Sequence, residues 1–116
     1  MKPADIVLAL LPQADGQAKL RPTLILCQLR PFDDLLVCGI STQLRQRVPD
    51  FDELIGQDDA DFAASGLAAP SIVRLGFIAT VPLSTVKGRI GTLTPARHSL
   101  LIKRLTDHLA TAIAGR

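Results

Sequence analysis

LRPTLILCQLRPFDDLLVCGISTQ, residues 20–43, reads as two apolar strands joined by a polar turn. Thr23–Gln28 and Leu35–Ile40 are short apolar runs, and the intervening Arg30-Pro31-Phe32-Asp33-Asp34 has turn chemistry in its Pro and Asp residues. This pattern predicts an antiparallel hairpin whose outer ends meet. Arg21 then becomes a neighbour of Ser41, Thr42 and Gln43. A guanidinium beside two hydroxyls and an amide suits a phosphate. Taken singly, these residues have plainer readings. Arg21 serves equally as an ion-pair partner at the sheet's mouth, and Ser41 and Thr42 as strand-end residues that satisfy backbone groups. A hairpin centred on its turn also sets Cys27 opposite Cys38 on one face, where two reduced thiols act as small apolar residues.

Outward from the hairpin, the chain continues as short strands. Asp5–Leu11 is a first strand closed by Pro12, and Pro12–Lys19 is a polar loop with a turn signal at Asp15-Gly16. Phe51–Ile55 reads as a short edge strand. Asp58 is placed to cap a short helix that stops at Gly66, with Phe62, Ala63 and Leu67 on its buried side. Ser71–Val81 is the longest strand signal. Gly76 in its middle marks a bulge or a close backbone approach, and Phe77–Val81 reads as core. Val86–Leu93 is a further strand. Thr94-Pro95 then starts a helix with a cap and a proline at its first position. Ile102, Leu105, Leu109 and Ala112 recur on it at helical spacing, with Lys103, Arg104 and Asp107 assigned to its surface. The fold class expected is mainly β (α+β): a small, strongly bent antiparallel barrel with a short helix and a C-terminal helix, one domain over residues 1–116.

Composition narrows the function. At 116 residues with 47% hydrophobic content, the chain can bury a real core and is not disordered. No signal peptide, transit peptide or spanning apolar run is present, so a cytoplasmic protein is expected, with no membrane partner. Two cysteines fit neither a disulfide scaffold nor a zinc motif. The net charge is only +2, but six of the eleven acids fall between Asp50 and Asp61, where no Lys or Arg occurs. The remainder carries thirteen basic and five acidic residues, which favours an anionic partner. The acidic run itself reads as helix-terminal charge, since its spacing does not suit a calcium loop. Metal ligands and cofactors are expected to be absent.

Arg21-Pro22 opening an apolar strand, Ile40-Ser41-Thr42-Gln43, Ser71-Ile72-Val73-Arg74 and Gly91-Thr92-Leu93 before a final helix stand in one order and spacing. In that order the sequence resembles the PemK/MazF/Kid family of bacterial toxins over nearly its whole length. The resemblance implies an SH3-like barrel, a homodimer, and metal-independent, sequence-selective cleavage of single-stranded RNA. Attack by the ribose 2′-hydroxyl leaves 2′,3′-cyclic phosphate and 5′-hydroxyl ends. It also implies a cognate antitoxin that blocks the site, and DNA binding by the toxin–antitoxin complex. Arg21 corresponds to the family's Arg-Pro arginine at the scissile phosphate. Ser41 stands at the first position of a Thr-x-Gln pattern, Thr42 beside it, and Arg74 corresponds to a second catalytic arginine of the Kid branch.

The sequence departs from that branch at two places. Gly76 stands where the branch has a catalytic Asp, and its loop histidine is missing. Asp15 is the one acid left in a shorter loop; it is either a base folded over the site or an ordinary Asp-Gly turn residue. His98 and His108 lie in the final helix and read as surface or packing residues. Asp15, Gln17, Lys19, Gln43, Arg45, Arg47, Lys87 and Arg89 are the candidate RNA contacts. Aromatic residues are 3% and Trp and Tyr are absent, so stacking platforms for single strands are scarce. Two other readings stay open: a non-catalytic member that binds RNA or antitoxin, and a gyrase poison of the CcdB type.

Overall fold

The computed structural model describes residues 1–116. Six strands, β1 (Asp5–Pro12), β2 (Ala18–Leu29), β3 (Asp34–Ser41), β4 (Glu53–Ile55), β5 (Ser71–Val81) and β6 (Val86–Thr92), form one sheet. Its order is β4-β5-β3-β2-β1-β6 with every pair antiparallel. Helix α1 (Phe62–Ser65) lies between β4 and β5, and α2 (Pro95–Gly115) closes the chain. The sheet curls into a half-barrel with an apolar cluster on each face. Along β1, Ile6 faces one apolar cluster while Val7, Ala9 and Leu11 face the other. The first cluster holds Leu24, Leu26, Cys38, Ile40, Val73 and Leu75 and is covered by Leu101 and Leu105 of α2. The second, on the opposite face, holds Ile25, Leu35, Val37 and Val81.

Register shifts interrupt three strand pairs, twice between β1 and β6 and once each in β2 and β5, and each adds unpaired residues to one strand and sharpens its twist. In β2 the register shifts across Leu26, so Cys27 faces Leu36 and Cys38 faces Leu24. This corrects the expectation that the two thiols oppose each other; a hairpin centred on its turn ignores the extra residue. Cys38 is buried among apolar side chains, which pushes its thiol pKa up, and nearby Asp52 pushes it the same way. In β5, Gly39 faces Arg74 while its neighbour Cys38 faces Ile78, leaving Leu75, Gly76 and Phe77 without partners on β3. Three extra residues invert the alternation. Val73 and Leu75 face the α2 side, whereas Phe77, Ala79 and Val81 face the other. Gly76 marks this bulge, and nothing lies within 4 Å of where its Cβ would be.

The β2 and β5 bulges free backbone groups, and a side chain from elsewhere meets them. His98 of α2 places Nε2 2.9 Å from the Leu26 carbonyl, a bond that requires the proton on Nε2. The Leu75 N–H donates to Asp52 Oδ1 at 3.1 Å, while Asp52 Oδ2 accepts from the Val48 N–H at 2.9 Å. His108 packs its ring on Phe51. His98 thus tethers α2 to the β2 bulge, and His108 is an exposed residue whose ring lies against Phe51.

Three acids of the run, Glu53, Asp59 and Asp61, are paired within the molecule. Thr94 caps α2 by accepting from the Arg97 N–H, which fixes the helix start and aims Arg97 back at the run. The Arg97 guanidinium donates to Asp61 Oδ1 at 3.0 Å, Asp59 Oδ2 at 3.1 Å and Glu53 Oε2 at 3.4 Å. Its Nε stands 3.0 Å from Asp61 Oδ2, at ion-pair distance without hydrogen-bond angles. One turn pair further along α2, Arg104 reaches Glu53 Oε1 at 3.1 Å. Arg104 is thus not a solvated surface residue. Helix α1 begins at Phe62 with Asp61 at its N-cap, and no acid occupies its first turn. Asp58 does not cap it, because the acids that follow are drawn to Arg97. Ser65, not Ala63, is the buried residue of α1.

Gly66 ends α1 at φ 73°, in the left-handed region, and lies on the backbone of β6. A Cβ there would overlap the Ile90 carbonyl oxygen, and one on Gly91 would overlap the Ser65 backbone. The backbone of α1 thus seats directly on β6, the far edge strand. Along α2 the apolar stripe is shorter than its spacing suggests. Leu101 and Leu105 are buried, but Leu109 is exposed by 57% and Ala112 is exposed, because the sheet ends before the helix does. No helix is long and apolar enough to cross a membrane.

Candidate functional site

The outer ends of β2 and β3 meet in a cleft of about 420 Å³. Arg21 and Pro22 of β2, Gly39 to Ser41 of β3, Thr42, Gln43 and Gln46 of the following loop, and Arg74 and Phe77 at the β5 bulge line it, with Leu11 and Gln13 from β1 and its turn. Each strand contributes for a local reason. Thr23 facing Gly39 sets the hairpin register that carries Arg21 towards Ser41. The bulge lets Arg74 and Phe77, three positions apart, both present to one side.

The lining contains no Asp, Glu or His. Arg21 Nη2 donates to Gln13 Oε1 at 3.4 Å, and Arg74 Nη1 to Gln46 Oε1 at 3.4 Å. Both partners are neutral amides, at the long end of hydrogen-bond range. The molecule's six ion pairs engage Arg89, Lys103, Arg104 and Arg97 and leave both cleft arginines out. Two positive charges therefore face one cleft without an internal anion to offset them, which favours an anionic ligand. Ser41 Oγ accepts from the Gln43 N–H at 3.0 Å, so its own O–H remains free to donate into the cleft.

The sequence-predicted residues separate into two groups. Arg21, Ser41, Thr42, Gln43 and Arg74 are brought together. Asp15, Gln17, Lys19, Arg45, Arg47, Lys87 and Arg89 do not line the cleft. Asp15 Oδ1 accepts from the Gln17 N–H at 3.0 Å, the ordinary turn arrangement at Asp15-Gly16. Lys19 pairs across the sheet with Leu11, and Arg45 and Arg47 flank Gln46 in an exposed single turn of 3-10 helix and its cap. Lys87 and Arg89 lie on β6, at the sheet's far edge. Gln13, Gln46 and Phe77 were not anticipated. The two glutamines carry no signal of their own, and Phe77 sits in an apolar run that reads as core.

Arg89 donates through Nε to Asp5 Oδ1 at 3.1 Å, and Asp5 is buried. Burial opposes the charge on Asp5, but the Lys2 N–H and the Arg89 guanidinium outweigh it and hold its carboxyl below the usual carboxylate value. A depressed folded-state pKa contributes stability that is present above the unfolded value, about 3.9, and is lost as pH falls through the folded value. Thermal melts of the wild type should lose part of their stability as pH falls below about 4. In Asp5→Asn that loss should be smaller, on a lower baseline at pH 7.

The matching family model, PemK-like, MazF-like toxin of type II toxin–antitoxin system, spans residues 2–109. The chain belongs to this toxin family. Solved structures share its fold. The Mycobacterium tuberculosis toxin MazF-mt6 is 24% identical with a TM-score of 0.68, over 91% of this chain and 96% of that one. An endoribonuclease in complex with its cognate antitoxin from Mycobacterial species is 17% identical with a TM-score of 0.69, over 95% of each chain. A further Mtb toxin is 20% identical with a TM-score of 0.62, over 88% of this chain and 97% of that one. A search of curated proteins by sequence finds no match. The chain is thus a toxin of the family on its matched residues, and the half-barrel is the family's fold.

Proposed function

We propose that this toxin is a metal-independent endoribonuclease that cuts single-stranded RNA in the cleft between Arg21 and Arg74. The observation that carries the reading is two arginines held only by amide oxygens in a cleft without a carboxylate. In-line attack of a ribose 2′-oxygen on phosphorus builds negative charge on the nonbridging oxygens. Arg21 and Arg74 offset that charge, and the hydroxyls of Ser41 and Thr42 and the Gln43 amide orient the phosphate. The 2′-hydroxyl proton passes to water. The departing 5′-oxygen takes a proton from water, and 2′,3′-cyclic phosphate and 5′-hydroxyl ends result. Lys19, Arg45 and Arg47, next in sequence or register to cleft residues, extend positive charge towards flanking phosphates. Arg89, committed to Asp5, and Lys87 contribute only at longer range. The toxin acts as a homodimer. A cognate antitoxin holds it, a reading supported by the structural relative that is in complex with its own antitoxin.

A cleft without a base favours one rival. General acid–base help is commonly worth about 10²–10⁴-fold, so a slow enzyme or a member that only binds RNA is the second reading. The separating experiment incubates purified toxin with a long mixed-sequence RNA in EDTA, and in parallel with DNA gyrase and relaxed plasmid. Discrete RNA cuts with unimpaired supercoiling are expected. Blocked supercoiling with intact RNA identifies a gyrase poison, and salt-sensitive RNA binding without cuts identifies the binding member.

A further inference from the structure

We propose that Phe77 is the stacking platform on which this toxin seats one nucleobase beside the scissile phosphate. The inference rests on the reading of the cleft as an RNA site. The chain has four phenylalanines and neither Trp nor Tyr. Phe32 is 83% exposed at the β2–β3 turn, Phe51 packs on His108, and Phe62 packs against the main core. Phe77 alone lines the cleft with both arginines. It sits in the unpaired part of β5, three residues after Arg74, and remains half-buried. Gly39 supplies the floor beneath the ring: a Cβ there would stand 3.4 Å from Phe77 Cγ and 3.5 Å from Cδ1. An aromatic ring held beside two unneutralised guanidinium groups provides the two elements by which proteins grip single strands, a π-face for a base and charge for its phosphate.

The chemistry of the contact is sequence-tolerant, since every base has a π-face. It fixes where a base lies, and selectivity then falls to the polar groups around it, Gln13, Gln43 and Gln46. The probe is a uniformly 2′-O-methyl, mixed-sequence RNA oligonucleotide, which cannot be cut, together with a set carrying a single abasic position moved along the strand. Affinity is read by fluorescence anisotropy for the wild type, Phe77→Leu and Phe77→Tyr, each checked for folding by circular dichroism. Phe77→Leu should bind about 10-fold more weakly, within the range that base–aromatic stacking supplies, and Phe77→Tyr should bind as the wild type does. For the wild type one abasic position should cost a similar factor, and at that position Phe77→Leu should lose nothing further. Equal affinity of Phe77→Leu and wild type, or no sensitive abasic position in the wild type, overturns the platform. Failure of the wild type to bind any of these oligonucleotides overturns the RNA reading of the cleft, and the platform with it.

Discussion

Arg21→Ala is expected to slow single-turnover RNA cleavage by about 100- to 1000-fold, the loss typical of removing one preorganised donor from a developing oxyanion. Arg74→Ala should fall in the same range. Neither change should disturb the fold. Arg21 is exposed, Arg74 is half-buried, and each makes one 3.4 Å bond to a glutamine amide and no ion pair. Urea midpoints and far-UV circular dichroism should therefore match the wild type. Lysine is an incomplete substitute, because a guanidinium presents a planar fork to two phosphate oxygens and an ammonium does not. Arg21→Lys should recover only part of the loss. The absence of an internal carboxylate is what makes these effects large: the arginines are not spent on structure, unlike Arg97 and Arg104. Wild-type rates from a folded Arg21→Ala protein would show that the phosphate is not held there.

Asp52→Ala should destabilise the toxin by about 1–3 kcal/mol, the cost of leaving the buried Leu75 N–H without its acceptor, while the Val48 N–H, on a residue 52% exposed, can turn to water. The carboxylate is buried and joins the Val48 and Leu75 N–H groups. One of those donors belongs to the β5 bulge, immediately after Arg74. Asp52 therefore positions the cleft as well as stabilising the sheet. Asp52→Asn keeps one acceptor oxygen and turns an NH2 towards the other donor, so it should lie between alanine and wild type. Urea unfolding measures the stability change, and cleavage at a temperature where Asp52→Asn stays folded measures the positioning. An unchanged midpoint in Asp52→Ala would mean that water replaces the carboxylate without cost.

Much of this molecule is legible in its sequence, and the parts that are not share a cause. The hairpin, the strand from Ser71 to Val81 and the Thr94-Pro95 helix start follow from local chemistry: alternation, turn residues and a cap. So does the meeting of Arg21 with Ser41, because an antiparallel hairpin fixes it. Register does not follow, since a single extra residue at Leu26 or three at Leu75–Phe77 shifts every later pair. The Cys27–Cys38 pairing misses for that reason, and Phe77, packed against the second apolar cluster, also lines the cleft. Long-range ion pairs are equally hidden. The run from Asp50 to Asp61 looks like free negative charge until Arg97 and Arg104, some forty residues later, fold onto it. The same limit applies to the candidate contacts. Neighbours in sequence of a site residue, such as Arg45 and Arg47, carry the right charge without lining the cleft.

The proposed reaction is in-line attack by the RNA's own 2′-hydroxyl on a phosphate held by Arg21 and Arg74. It is tested most directly at a mapped cut, on two RNAs in EDTA that differ only by a 2′-deoxy sugar on the 5′ side of the scissile phosphate. Cyclic-phosphate and 5′-hydroxyl ends are expected from the all-ribose RNA, and no cut at that position in the deoxy RNA. Cleavage of both, with a 5′-phosphate end, would contradict it.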